Sequence, residues 1–219
     1  MFLVIFGLAG AGILVSLGVW QVQRLAWKQD LLSNIETRIA ADPQRLPSEP
    51  DAEVDRYTPV QVDGVFLPGE VHVLVSVKRV GPGFRIIAPF QTNEGRLLLV
   101  DRGFVPDDQK DTARSIDPVM ITGNLDWPRE SDQFTPEPDL AANTWFARDV
   151  PQLALALDTE PVLVVARSQT DPGVTPLPVD TTGIPNDHLQ YAITWFSLAV
   201  IWIAMTAYFL WRTRAQRET

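Results

Sequence analysis

The chain carries only two histidines, His72 and His188, and no cysteine. A Ser-His-Asp constellation or a multi-histidine metal centre therefore has almost nothing to be built from. Thiol redox chemistry, disulfides, covalent c-type haem attachment and thiolate zinc or copper sites all need the missing side chain. Asp and Glu are plentiful, but no spacing singles out a carboxylate pair, and Gly81-Pro82-Gly83 lacks the continuation of a phosphate loop. His188 is the more suggestive histidine. Tyr191, Ala192, Trp195, Ala199 and Trp202 follow it at helical spacing, on one face. An aromatic and small face below a histidine has a shape that can hold a flat tetrapyrrole, with a neutral ring nitrogen as the axial ligand. The first turn of a helix disfavours imidazolium and attracts anions, so propionates can lie there with Arg24 and Lys28 as counter-charges. Met205 lies about 25 Å further along such a helix and cannot share the iron. The same residues also read as an ordinary membrane interface. On that reading His188 is a polar residue at the boundary, the aromatics form a belt, Arg24 and Lys28 snorkel, and His72 sits on a strand surface.

These residues must be positioned by the two uncharged apolar runs at the ends of the chain, Met1 to about Val22 and Leu189 to Trp211. Each meets the roughly 20 residues needed to cross a bilayer core as a helix. The pattern Trp20, Arg24, Trp27, Lys28, Leu31 predicts that the first helix continues outward, to about residue 40. Trp20 and Trp27 read as interfacial anchors. Gly7, Ala11, Gly12 and Ser16 offer small faces for a partner helix. Arg212, Arg214 and Arg217 against Glu218 place the tail, and with it both termini, in the cytoplasm, although Arg24 and Lys28 pull weakly the other way. A signal peptide cleaved near Ala9-Gly10-Ala11 is the rival reading of the first run, which lacks a basic n-region. The absence of an Arg-rich transit segment favours a bacterial inner membrane over an organelle. The intervening body carries the acidic excess behind the net charge of −9, which argues against nucleic acid as a partner.

Residues 41–57 read as a linker, with Pro, Asp and Glu over Ala41 to Pro50. A mainly β domain of residues 58–168 follows, a sandwich or small barrel of successive antiparallel strands. Alternation predicts strands at Val60–Val65, Val71–Val77, Phe84–Phe90 and Leu97–Val100. Turns are expected at Gly69, Gly81-Pro82-Gly83 and Asn93-Glu94-Gly95. Further strands are expected at Val119–Leu125, Thr144–Phe146 and Pro161–Ala166, with one helix over Val150–Leu157 capped by Asp149. Asp101-Arg102-Gly103 is read as closing a strand, with Gly103 supplying unusual dihedrals and Pro106 ending the segment. Arg102 either pairs with a carboxylate or faces a partner. Residues 169–187 form a stiff Pro-rich connector, and Asn186-Asp187 cap the helix of residues 188–211.

Four separated motifs, in order, carry a resemblance. They are Leu17-Gly18-Val19-Trp20-Gln21 with Arg24 and Trp27-Lys28; Val100-Asp101-Arg102-Gly103-Phe104-Val105-Pro106; Asn143-Thr144-Trp145-Phe146 with Asp149; and His188-Leu189-Gln190-Tyr191-Ala192 with Trp195-Phe196. The chain resembles the Surfeit locus protein one family of cytochrome c oxidase assembly factors from end to end. Phe104 departs from the tryptophan of many relatives but keeps the aromatic bulk. The resemblance implies a two-helix inner-membrane protein with a periplasmic domain that binds haem a and assists its insertion into oxidase subunit I. It implies His188 as the axial ligand and matches Trp195 to the family's tryptophan in that helix, while the residue reading adds Tyr191, Trp20, Arg24 and Lys28 as candidates around the cofactor. Oxidase subunit I and the lipid bilayer are the implied partners, and haem a synthase is a further candidate. A scaffold that binds subunit I without haem is the alternative. A membrane-tethered enzyme is disfavoured by the missing nucleophile and base sets.

Overall fold

A computed structural model describes residues 2–215, which form two compact units. The first comprises residues up to Asn34 together with those from Thr181 onward, and the second is Ile35–Asp180. Helix α1, Phe2–Ala40, runs unbroken through its 39 residues, about 58 Å. Helix α3 spans His188–Ala215, so Arg212 and Arg214 sit in its last turn, while Arg217 and Glu218 lie outside the described residues.

In the first unit α1 and α3 pack antiparallel. Gly7 meets Thr206, Gly10 meets Trp202 and Gly18 meets Phe196. A Cβ on Gly10 would come within 2.5 Å of the Trp202 ring, so the backbone approach depends on the missing side chain. The Trp202 indole donates to the Gly7 carbonyl at 2.9 Å. Gly12, expected among the small residues of this contact, faces open space. Ala192 and Ala199 are buried, whereas Phe2, Leu8, Ile13, Ile193, Val200 and Trp211 are exposed and apolar. Both helices are long and apolar enough to cross a membrane, and such outward faces suit lipid.

The second unit is a β-barrel. Its strands are β1 (Gln44–Arg45), β2 (Pro59–Phe66), β3 (Val71–Val77), β4 (Gly81–Thr92), β5 (Leu97–Pro106), β6 (Val119–Asp126), β7 (Thr144–Trp145) and β8 (Leu163–Ala166). The ring of five runs β2, β6, β8, β5, β4 and back to β2. Strand β3 extends β4 outside the ring and β7 extends β3. The strands are not all antiparallel as expected, because β8 runs parallel to β5, β7 to β3 and β1 to β2.

Val60, Val62, Phe66, Phe90, Leu98, Val100, Ile121, Leu125 and Val164 fill the barrel. Leu99, Ile87, Leu163 and Val165 point the other way and pack under helix α2, Val150–Leu157, through Val150, Leu153 and Ala154. Both faces of β5 are thus covered, which is why Leu97-Leu98-Leu99-Val100 reads as an unbroken apolar run. Asp149 caps α2 by accepting from the Gln152 N–H at 3.1 Å.

Two expected boundaries move. Gly81-Pro82-Gly83 belongs to β4, and the turn lies just before it at residues 78–80. Pro82 is tolerated near the start of that strand, opposite Ser76. Asp101-Arg102-Gly103 sits inside β5, which ends at Pro106.

The last turn of α1 belongs to this second unit. The Ile39 carbonyl accepts from Asn124 at 3.1 Å and Arg167 at 3.0 Å, and Arg38 donates to the carbonyls of Val54 and Arg56.

Candidate functional site

His188 opens α3, and its Nδ1 lies 2.8 Å from Oε1 of Gln21 on α1. Gln21 is 8% exposed, a polar side chain closed into an apolar helix pair. Ala192, one turn along, is buried and lets the two helices approach beside the histidine. Trp195 is half-buried and close to the His188 face of α3, whereas Tyr191, rotated by about 60°, is 55% exposed.

On α1, Trp20 and Trp27 are exposed, and the Arg24 guanidinium lies over the Trp27 ring at 4.1 Å from its centroid. Lys28 is half-buried and shares the Gln21 face, two turns further on. The structure therefore brings His188 together with Gln21. Among the described residues neither Trp20, Arg24 nor Lys28 hydrogen-bonds the imidazole. Nothing in the sequence pointed to Gln21 as its partner, since a neutral amide 167 residues away leaves no signal in spacing or charge.

The geometry bears on which metal chemistry fits. Among the described residues no group of three or more His, Cys, Asp or Glu side chains is placed to hold a bare ion. A single imidazole suits a metal whose other donors come with it, as haem iron does. With the Gln21 carbonyl accepting from Nδ1–H, the Nε2 lone pair is the one left for such a metal.

The barrel carries a second polar assembly at a β-bulge. Ile86 pairs with Gly103 and Ile87 with Asp101, leaving Arg102 between them without a partner. A bulge re-aims the side chain it displaces. Arg102 is 1% exposed, with its guanidinium 4.0 Å from the centroid of the Phe66 ring. It donates to the Thr170 hydroxyl and carbonyl and to the Ser115 carbonyl, and lies 3.7 Å from Asp171. Of the two options left open by the sequence, Arg102 takes the internal carboxylate.

Asp101, fully buried, receives Arg85 at 2.6 Å and Arg148 at 3.4 Å, and Arg85 also donates to the Leu177 carbonyl. Gly103 has φ +119°, and a Cβ there would fall 2.2 Å from the Thr175 carbonyl oxygen. The residues Asp101 to Phe104 thus grip residues 170–177 of the connector from four successive positions, Asp101 through Arg85. The connector was expected to be only a stiff spacer, but here it is strapped to the barrel wall.

Burial pushes the Arg102 guanidinium below its ordinary value, against the raising effect of Asp171 and Glu70. It remains a cation nonetheless. Burial also works to raise the carboxyls of Glu130 and Asp171, and in both cases hydrogen bonds win. Arg148 holds Glu130 below its ordinary value, and the Ser115 and Gly173 N–H groups with Arg102 do the same for Asp171. Arg148 is itself raised: desolvation opposes this, but Glu130 and Asp101 outweigh it.

His72, expected on a strand surface, is buried. Its Nε2 lies 2.8 Å from Glu70, which also receives Arg114, and the Phe84 ring lies beside it.

Comparison with known proteins bears on both assemblies. The SURF1 family model matches residues 8–200. The chain belongs to the SURF1 family. It is 32% identical over 210 residues to a SURF1-like protein of Monosiga brevicollis, covering 86% of this chain and 80% of that one. To Surfeit locus protein 1 of Homo sapiens it is 30% identical over 227 residues, covering 93% and 74%. The corresponding protein of Gallus gallus is 28% identical over 219 residues, covering 89% and 69%. The SURF1 match includes Gln21, the bulge at Arg102 and His188, so both polar assemblies lie within family sequence.

Proposed function

We propose that this SURF1-family chain is a non-enzymatic assembly factor for a haem-copper oxidase. It holds haem a through His188 while the haem is inserted into subunit I. The observation that carries this reading is the His188–Gln21 pair, which leaves one ring nitrogen free to ligate. Tyr191 and Trp195 supply aromatic faces and Trp20 a further ring, while Arg24 and Lys28 supply cations for the propionates. A single protein ligand suits cargo that must leave. Membership in the family supports the oxidase-assembly role. Arg212 and Arg214 in the last turn of α3 support cytoplasmic termini, with the barrel on the outer, periplasmic face of a bacterial inner membrane. Oxidase subunit I and haem a synthase are the protein partners of this reading.

One observation favours a second reading. Gly18 and Phe196 are in contact, so the helix pair is closed below His188, as suits a scaffold that grips subunit I without haem. The optical spectrum of detergent-purified protein from cells making haem a, wild type beside His188→Ala, separates the two. A haem a band lost in the variant supports ligation by His188. Colourless protein that still copurifies with subunit I overturns it in favour of the scaffold.

A further inference from the structure

Among the described residues, Gln21 is the side chain hydrogen-bonded to the imidazole of His188, and it reaches it from the other helix. Two features make this contact more than an incidental hydrogen bond. The amide is almost fully enclosed, so water does not compete for its carbonyl. The atom it engages is Nδ1, and holding the proton there fixes the tautomer that presents Nε2 as a donor. An imidazole whose N–H donates to a carbonyl also becomes a more basic ligand, with its ring orientation fixed. The close contact of Gly18 with Phe196, about one turn from Gln21 on α1 and two turns from His188 on α3, sets the separation of the helices next to this pair. Gln21 and His188 therefore meet only when α1 and α3 are packed.

We propose that Gln21 is the positioning residue for the haem ligand: it holds the proton of His188 on Nδ1, aims Nε2 outward and couples ligand strength to the packing of the two helices. This rests on the haem reading above. It assigns Gln21 no contact with the haem itself.

The test uses the full-length protein in detergent. Haem retention and the iron–histidine stretching band of the ferrous form are compared in wild type, Gln21→Leu, Gln21→Glu and His188→Ala. Leucine keeps the volume but accepts nothing, so haem retention should weaken about 10–100-fold and the stretching frequency should fall. Glutamate keeps the acceptor and strengthens it, so haem should be retained and the frequency should rise. Should the leucine variant fail to fold, nitrogen NMR of the haem-free wild type answers the same question. There the proton of His188 is expected on Nδ1, and a proton on Nε2 would overturn the proposal. A wild type with His188-dependent haem and indifferent Gln21 variants sinks this proposal alone. A wild type that carries no haem sinks the haem reading together with it.

Discussion

Phe104 and Thr175 exchange two backbone hydrogen bonds, 2.7 Å from the Phe104 N–H to the Thr175 carbonyl and 2.9 Å in return. This short antiparallel bridge fastens the connector to β5 two residues after the bulged Arg102. It forms where the backbone turns through Gly103, and Arg102 at the bulge and Arg85 on β4 reach the same stretch of chain.

Gly103→Ala should therefore release the strap. The new methyl meets the Thr175 carbonyl, and the backbone stays in a region that side chains other than glycine rarely adopt. A loss of about 1–3 kcal/mol is expected in denaturant unfolding. Proteolysis within residues 172–180 should quicken as well. A variant with wild-type stability and an uncut connector would show that the bridge holds nothing.

Acid should weaken the barrel through two carboxyls. Glu130 and Asp171 hold their protons less tightly when folded than when unfolded. Such groups contribute stability above their unfolded pKa and lose it as pH falls through the lower folded value. Stability should be level down to about pH 4.5, the ordinary value for Glu130, and should fall below it. Glu130→Gln should lower stability near neutrality and flatten the acid limb. A wild-type unfolding midpoint that ignores pH down to about 3 would contradict the assignment.

Packing of the helix pair rests on small side chains. Gly10→Leu puts a branched group into the Trp202 ring, which must move and give up its bond to the Gly7 carbonyl. The expected cost is about 1–3 kcal/mol in detergent, as for other overpacked sites. Trp202→Phe removes the indole N–H and also shrinks the ring that packs on Gly10, and the lost hydrogen bond alone should cost about 0.6–2 kcal/mol. Thermal unfolding of the two variants side by side checks the order, and a more stable leucine variant would reverse it.

What could be read from the sequence depended on whether the physics was local. The alternation of Val71, Val73, Val75 and Val77 places β3 without help, and Asp149 announces the start of α2. Spacing along α3 finds Ala192, Ala199 and Trp202 on the face toward α1, but puts Tyr191 with them, although it turns outward. His72 fails for a different reason. Its place in the alternation says solvent, but β7 pairs beside it and Glu70, held by Arg114, meets its ring, and neither β7 nor Arg114 is near it in sequence. The parallel pairing of β8 with β5 is likewise decided by the ring and by no residue of β8 itself. Gln21 lies within the first motif but shows no role in the sequence, because its partner is on another helix.

Strand β8 sits between β5 and β6 and is the last of the ring to be synthesised. A ribosome adding about 5–20 residues per second needs roughly 2–8 s to travel from Asp126, the end of β6, to Ala166, the end of β8. Throughout that interval β5 and β6 each present an unpaired flank of backbone donors and acceptors to whatever is nearby. The nascent chain is thus a different hazard from the finished protein, and its rate of delivery relative to barrel closure sets how much of it survives to be useful.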